Sequence, residues 1–430
     1  MAHVPTSLQQ ESRLTLLPRY GPASPTAACW LLRGVHQEAL VEALGVLVRR
    51  HDALRMSFPG TDPTHAWVTP PDARISLTER RVADKTEDEE IRTFLRDQLG
   101  KPFAPGEAPL HRFVLVRQGL DKLFFGMAVD HMVWDGLSLR RFVEDLRRVY
   151  SRGPAALSSR PPKYADFSNA QRRELEGVWG RERRAFWEGK FDRWGGYPPA
   201  CGLTDAELAA DPGRSDASAT AERELGSDNW SRIRAYAATN RATVFAVVAA
   251  QLLTAQAELS GHSRTGLVTE THGRVLPRTA GALGLFSHGV PVLLDVDAAP
   301  PSGRLVQVGD AIMDAVEMGL PLRPFCARWR AERAVPDVAT PFLYFGMEDA
   351  GQFAGLWLPR VSVAPFSLYP DEATRPGRSS DMLAVHLIVN QGTKSPAPFL
   401  HAQFDRAVFP EIKVRALLDR TIDLLNLAEQ

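Results

Sequence analysis

Net charge is what this sequence lacks first: its 430 residues carry 51 Lys and Arg against 51 Asp and Glu. That balance argues against a nucleic-acid binder and leaves only a local basic patch open. Cysteine is scarce. The three present, Cys29, Cys201 and Cys326, lie far apart with no CxxC, so neither a disulfide framework nor a zinc site is suggested. A reducing compartment fits, and the expected location is the cytoplasm. Long apolar runs are missing too. The longest, Val244 to Ala257, includes Gln251, Thr254 and Gln256; it is too short and polar for a membrane span and reads as a buried helix. The opening "MAHVPTSLQQESRL" has no charged n-region before an apolar core, so no signal peptide is read. There is no GxSxG elbow, HExxH pair, Walker loop or GxGxxG after a strand, and the scattered histidines have no metal-ligand spacing. What is present is a globular balance, 44% hydrophobic and 24% charged, in a chain too long for one ordinary core. Two domains, or two lobes, are expected.

Apolar spacing predicts helices at 36–50, over "DKTEDEEIRTFLRDQLGKPF", and over "GLSLRRFVEDLRRVYSRG", where Leu139, Phe142, Val143 and Leu146 share a face. "LHRFVLVRQG" and "KLFFGMAVDHMV" read as two strands around Gly119–Leu120–Asp121. Residues 151–162 read as a linker, and "YADFSNAQRRELEGVWGRERRAFWEGKF" as one long amphipathic helix. Residues 192–220 read as a crossover segment, followed by two helices capped by Ser227/Asp228 and by Thr243. Strand-like stretches then dominate up to a terminal helix that starts at Pro410, with a loop at 370–380. The order is not the strict alternation of a doubly wound sheet.

The stretch "AVDHMVWDGLSL" carries the chemistry-bearing residues, with His131 four positions before Asp135 and Gly136. HxxxDG alone leaves two readings open, a catalytic base at a strand end or a histidine in a core segment. Asp135 reads as a turn residue or helix N-cap, and Gly136 as a turn glycine.

Five stretches together resemble one family. "VPTSLQQESRL", "RHDALRMSF", "VDHMVWDGLS", "YADFSNAQ" and "LGLFSHGVPV" are similar, in the same order, to the xPLSxxQxRL, RHxxLRxxF, HHxxxDG, YxDYxxWQ and IGxFVNTxPL segments of nonribosomal peptide synthetase condensation domains. The resemblance implies an α/β (α+β) fold of two chloramphenicol acetyltransferase-like lobes, a V-shaped pseudo-dimer with an active-site tunnel between them. The expected lobes are residues 1–175, with the HxxxDG motif, and 176–430. By the family pattern His131 is the catalytic histidine, Asp135 a structural aspartate paired with an arginine, and Gly136 the glycine beside the tunnel; Arg274 is the expected arginine. The implied reaction moves an acyl or aminoacyl group from a carrier protein's phosphopantetheine thioester to an amine or alcohol. A thioester is already activated, so no bound cofactor or metal is expected; the substrate arrives on phosphopantetheine, or on coenzyme A. A neutral imidazole suits the work of taking the acceptor's proton. The expected partners are an acyl- or peptidyl-carrier protein acting in trans and a small-molecule acceptor, with no nucleic acid and no membrane, and the chain is expected to be a free-standing monomer.

The sequence departs from the pattern twice. Asp130 replaces the family's first histidine, and His288 the asparagine of FVNT. If the segment is extended, Asp130 and His131 point to opposite faces. Asp130 is then expected to take a structural role, satisfied by a nearby donor, rather than to raise the His131 pKa through space. His288 either adds a polar group beside the tunnel or is a bland surface or core residue. Trp134 is expected to pack or to line a channel, and Ser138 to cap the following helix or to donate into the tunnel. The departure at Asp130 keeps a second class of function in view, a silent condensation-like domain that docks a carrier or partner enzyme. A coenzyme A-dependent acyltransferase is a third.

Overall fold

The apolar run at residues 122–129 becomes the centre of a sheet. In the computed structural model, the first part of the chain forms β1 (Ala2–Pro5), α1 (Leu8–Tyr20), β2 (Thr26–Arg33), α2 (Gln37–Arg50), β3 (Met56–Ser57), β4 (His65–Val68) and β5 (Leu77–Val82). Then come α3 (Asp88–Leu99), β6 (His111–Gln118), β7 (Lys122–Val129), α4 (Gly136–Arg152) and α5 (Tyr164–Glu176). The structure describes residues 2–20, 25–60, 62–72, 75–104, 106–157, 162–194, 196, 218–274, 276, 279, 281–298, 300–333, 342–349, 356–369, 382–389 and 397–427. The loop expected at 370–380 lies outside them, as does most of 192–220.

Strands β6 and β7 pair antiparallel from His111↔Val129 to Gln118↔Lys122, and the turn between them uses Gly119 at φ +58°. Side chains alternate across a strand, so a strand covered on both faces must be apolar throughout. Phe113, Leu115, Leu123, Phe125 and Met127 join one core with α2 and α4. Val114, Val116, Phe124 and Ala128 join another with Ile91, Leu95 and Leu99 of α3. A Cβ on Gly126 would lie 2.5 Å from a Leu99 methyl, so the close approach of α3 requires glycine there.

The chain divides into two compact units. One comprises Met1–Gly177, His272–Ser287 and Phe353–Arg375; the other comprises Val178–Thr271, His288–Gln352 and Pro376–Gln430. The expected division at 175/176 falls two residues early, and two later segments return to the first unit. One of them brings β12 (Ser362–Pro365), which pairs antiparallel with β2 and completes the sheet order β12-β2-β7-β6-β5.

The second unit begins with α6 (Val178–Trp194), so the single helix expected over 164–191 is two, broken at Gly177, whose ψ of −171° is extended. Its sheet uses β8 (Ser218–Glu224), β9 (Arg264–Thr271), β10 (His288–Asp295), β11 (Phe342–Asp349), β13 (Met382–Val389) and β14 (Phe399–Asp405), in the order β10-β9-β11-β13-β14-β8. Helix Val244–Ser260 is buried against β9 and the terminal helix Glu411–Leu427. Thr243 caps it as expected, accepting from the Ala246 N–H at 3.1 Å. The expected Ser227/Asp228 cap is not formed: Gly226 occupies the N-cap of Ser227–Thr239 without a side-chain bond. Among the described residues, no single helix is long and apolar enough to cross a membrane.

Candidate active site

All of the following contacts lie within the first unit. The Asp130 N–H donates to the Leu110 carbonyl at 3.0 Å, extending the end of β7, and there the chain turns. Residues His131–Val133 form one 3-10 turn, so the extended geometry expected for Asp130 and His131 ends at Asp130. The Asp130 carboxylate caps that turn by accepting from the Met132 N–H at 2.7 Å. This is the local structural role expected of it. Gln10 donates to the Met132 carbonyl at 2.8 Å and holds the turn from outside. Trp134 is 1% exposed and meets Phe142 edge-on at 5.4 Å, which is packing.

His131 is half-buried, with Nδ1 3.3 Å from the Trp134 carbonyl oxygen. A carbonyl only accepts, so this bond needs the hydrogen on Nδ1, and the neutral ring then carries its lone pair on Nε2. The turn thus selects the tautomer that leaves a basic nitrogen at Nε2.

Asp135 follows, and its carboxylate is saturated. Oδ1 accepts from the Ser138 N–H at 2.7 Å, the N-cap bond of α4, and from Arg274 Nη2 at 3.0 Å. Oδ2 accepts from Arg274 Nη1 at 2.8 Å and from the N–H groups of Phe286 at 3.0 Å and Ser287 at 3.3 Å. The expected helix cap and the expected arginine pair are both present. The pair is buried, with side-chain exposures of 12% for Arg274 and 2% for Asp135, and the guanidinium also lies 4.1 Å over the Phe286 ring. Such a pair is rigid when complete and costly to break.

Ser138 is not the cap expected of it. Its N–H is the group being capped, while its hydroxyl donates to the Gly284 carbonyl at 2.9 Å and accepts from the Gly284 N–H at 3.0 Å and Arg274 Nη2 at 3.1 Å. Gly136 is exposed at the first position of α4, and a Cβ there would meet nothing within 4 Å. No protein atom demands glycine at that position. His288 is placed in the second unit, half-buried as the first residue of β10 opposite Thr271.

Several supporting residues were not singled out from the sequence. Tyr164 is fully buried, and its hydroxyl donates to the Leu285 carbonyl and lies 2.8 Å from Ser7 Oγ. Burial pushes its phenol well above the usual range, which keeps the donor protonated. Its ring fills the space beside Gly284, where a Cβ would sit 1.9 Å from it. Asp52 accepts from the N–H groups of Tyr164 at 2.8 Å and Ala165 at 3.1 Å, capping α5 from a distant segment. Each of these residues belongs to one of the five stretches quoted above. The signal was present, but it specified a segment and not a contact.

The Condensation domain family matches residues 24–334 of the chain. This protein belongs to the condensation-domain family. Among similar condensation-domain sequences, phosphinothricin tripeptide synthetase PhsC of Streptomyces viridochromogenes is 28% identical over 365 residues, covering 80% of this chain and 33% of that protein. Cyclosporin synthetase simA of Tolypocladium inflatum is 27% identical over 263 residues, 59% of this chain and 2% of that protein. The chain therefore spans a third or less of the length of these relatives. Among solved structures, SgcC5 from Streptomyces globisporus superposes with a TM-score of 0.72 at 18% identity, covering 95% of this chain and 93% of that one. The X-domain from teicoplanin biosynthesis gives 0.76 at 17% identity, covering 100% and 95%. The mixed helix-and-sheet fold is that of condensation domains.

Proposed function

We propose that this condensation domain transfers an acyl or aminoacyl group from a phosphopantetheine thioester to an amine or alcohol, forming an amide or ester in natural-product biosynthesis. The observation that carries the reading is the Nδ1 bond of His131 to the Trp134 carbonyl, which supports a lone pair on Nε2. Nε2 takes the proton of the acceptor as its nitrogen or oxygen attacks the thioester carbonyl. The tetrahedral intermediate then expels the thiolate, and the proton on Nε2 goes to the departing sulfur. The first N–H groups of α4, at Gly136, lie at the positive end of a 17-residue helix and favour developing negative charge nearby. Asp135, Arg274 and Ser138 position the loop and take no part in proton transfer. The donor is proposed to ride on a carrier protein outside these 430 residues, with coenzyme A as the competing thioester.

Intact-protein mass spectrometry of a loaded carrier with acceptor tests this. Wild type is expected to unload the carrier with product formation, and His131→Ala to lose roughly 10²- to 10⁴-fold in rate. Full product formation by His131→Ala sinks the reading. Asp130 favours one alternative, because a carboxylate committed to the Met132 N–H stands where the family has its first histidine. On that reading the domain docks a partner without turnover, and wild type binds loaded carrier yet leaves it loaded. Coenzyme A thioesters in place of the carrier separate the two donor classes.

A further inference from the structure

The far end of α4 carries a second concave site, and nothing in the reaction above uses it. A cavity of about 430 Å³ is lined by Arg147, Arg148, Ser151, Arg152, Trp357 and Pro359. That volume lies within the range of small-molecule sites, about 300–1,000 Å³. Its helical lining runs from Arg147 to Arg152 at the end of a helix whose first residue is Gly136, so about 17–24 Å of helix separates it from the His131 turn.

Its chemistry is specific. Among the described residues, the lining holds three guanidinium groups and no carboxylate. Arg147 and Arg152 make no ion pair among the described residues, and Arg148 reaches only the buried Asp145, at 3.7 Å. Asp145 is shared, because Arg141 binds it at 3.1 Å and His51 lies 3.7 Å away. The carbonyl end of α4 contributes a partial negative charge of only about half a unit, so positive charge remains in excess.

Trp357 is 57% exposed. Its neighbours Leu356 and Leu358 are buried in the core, which fixes the indole outward as a platform. The Arg147 guanidinium lies 5.4 Å from the ring centroid. An exposed tryptophan beside guanidinium groups suits a planar ring, and guanidinium forks suit phosphate. The zero formal charge of the whole chain argues against a nucleic-acid polymer as the occupant.

We propose that this cavity binds a nucleotide, with its phosphate held by Arg148 and Arg152 and its base stacked on Trp357. The nucleotide end of coenzyme A and a free mononucleotide share this chemistry. The site stands apart from the reading of His131, so either can fail alone.

Isothermal titration calorimetry of the full chain with AMP, coenzyme A, adenosine and inorganic phosphate tests it. AMP is expected to saturate below about 1 mM at low salt and to weaken as salt rises. Adenosine and phosphate are expected to bind at least about tenfold more weakly, since each offers half of the recognition. Arg148→Ala/Arg152→Ala and, separately, Trp357→Ala are each expected to weaken AMP about tenfold or more. Thermal melts confirm that both variants fold. Coenzyme A binding at least as tightly as AMP, with the same dependence on the variants, assigns the site to the coenzyme; AMP binding without coenzyme A assigns it to a free nucleotide. Absence of saturable heat with both ligands overturns the proposal. So does binding that survives both variants, or phosphate binding equal to that of AMP.

Discussion

Asp135 accepts two guanidinium and three backbone N–H groups, so its loss strands more than one partner. Arg274→Ala leaves the carboxylate buried without its counter-charge. It is expected to cost about 3–5 kcal/mol by urea unfolding, as for other broken buried pairs. The acyl transfer proposed for His131 is expected to fall as well in the folded fraction, because the loop after the His131 turn loses its support. His111 gives a different residue-scale prediction. It is fully buried, donates through Nδ1 to the Leu54 carbonyl at 3.0 Å, and burial pulls its pKa from 6.5 to about 4. The folded state therefore holds it neutral where the unfolded chain takes up a proton. Its stabilising contribution is complete above pH 6.5 and is lost as the pH falls towards 4, a total of roughly 3 kcal/mol. Urea midpoints at pH 7 and pH 5 check this, and His111→Gln is expected to flatten the difference. Single residues were legible where their partners are near in sequence or belong to a known pattern, as with Asp130 and the Asp135–Arg274 pair. Ser138 was misread because a hydroxyl at a helix start looks like a cap, whereas its partner Gly284 lies 146 residues away.

At the scale of elements, periodicity located strands β6 and β7 and helices α2, α3 and α4 because each has an apolar face to bury. It missed the break at Gly177, since charged residues on both sides let one helical pattern run through a glycine. It also could not say what caps α5. That helix begins at Tyr164 with Lys163 at its N-cap position and no side-chain bond of its own. Asp52 supplies the acceptor instead, more than a hundred residues earlier. Asp52→Ala is expected to lower stability by about 1–2 kcal/mol, the cost of a lost helix cap. Asp166→Ala, in the same first turn but exposed, is expected to stay within about 0.5 kcal/mol. Chemical denaturation of the two variants side by side checks the contrast.

For the whole molecule, the ordered set of five stretches identified the family, whereas the two compact units interleave along the chain in a way the contiguous division at 175/176 did not describe. Hydrophobic pattern shows that a strand has a face to bury but not which strand it pairs with, so β12 gave no sign of its pairing with β2. The first unit borrows Arg274, Phe286 and Ser287 as well as that strand. A fragment ending at residue 177 is therefore expected to lack a cooperative melt, while the full chain has one. Circular dichroism during heating checks this, and a sharp two-state transition from the fragment would contradict it.

The long reach of the Asp135 clamp also has a consequence in time. A ribosome that has delivered Asp135 must add 139 residues before Arg274 exists and 151 before the Phe286 amide does. At about 5–20 residues per second, that is a delay of roughly 7 to 30 s. Through that interval the nascent chain displays the whole HxxxDG stretch with Asp135 lacking its Arg274, Phe286 and Ser287 donors. The turn that orients His131 can be locked only late in synthesis, so half-made chains that carry the motif are expected to be chemically idle.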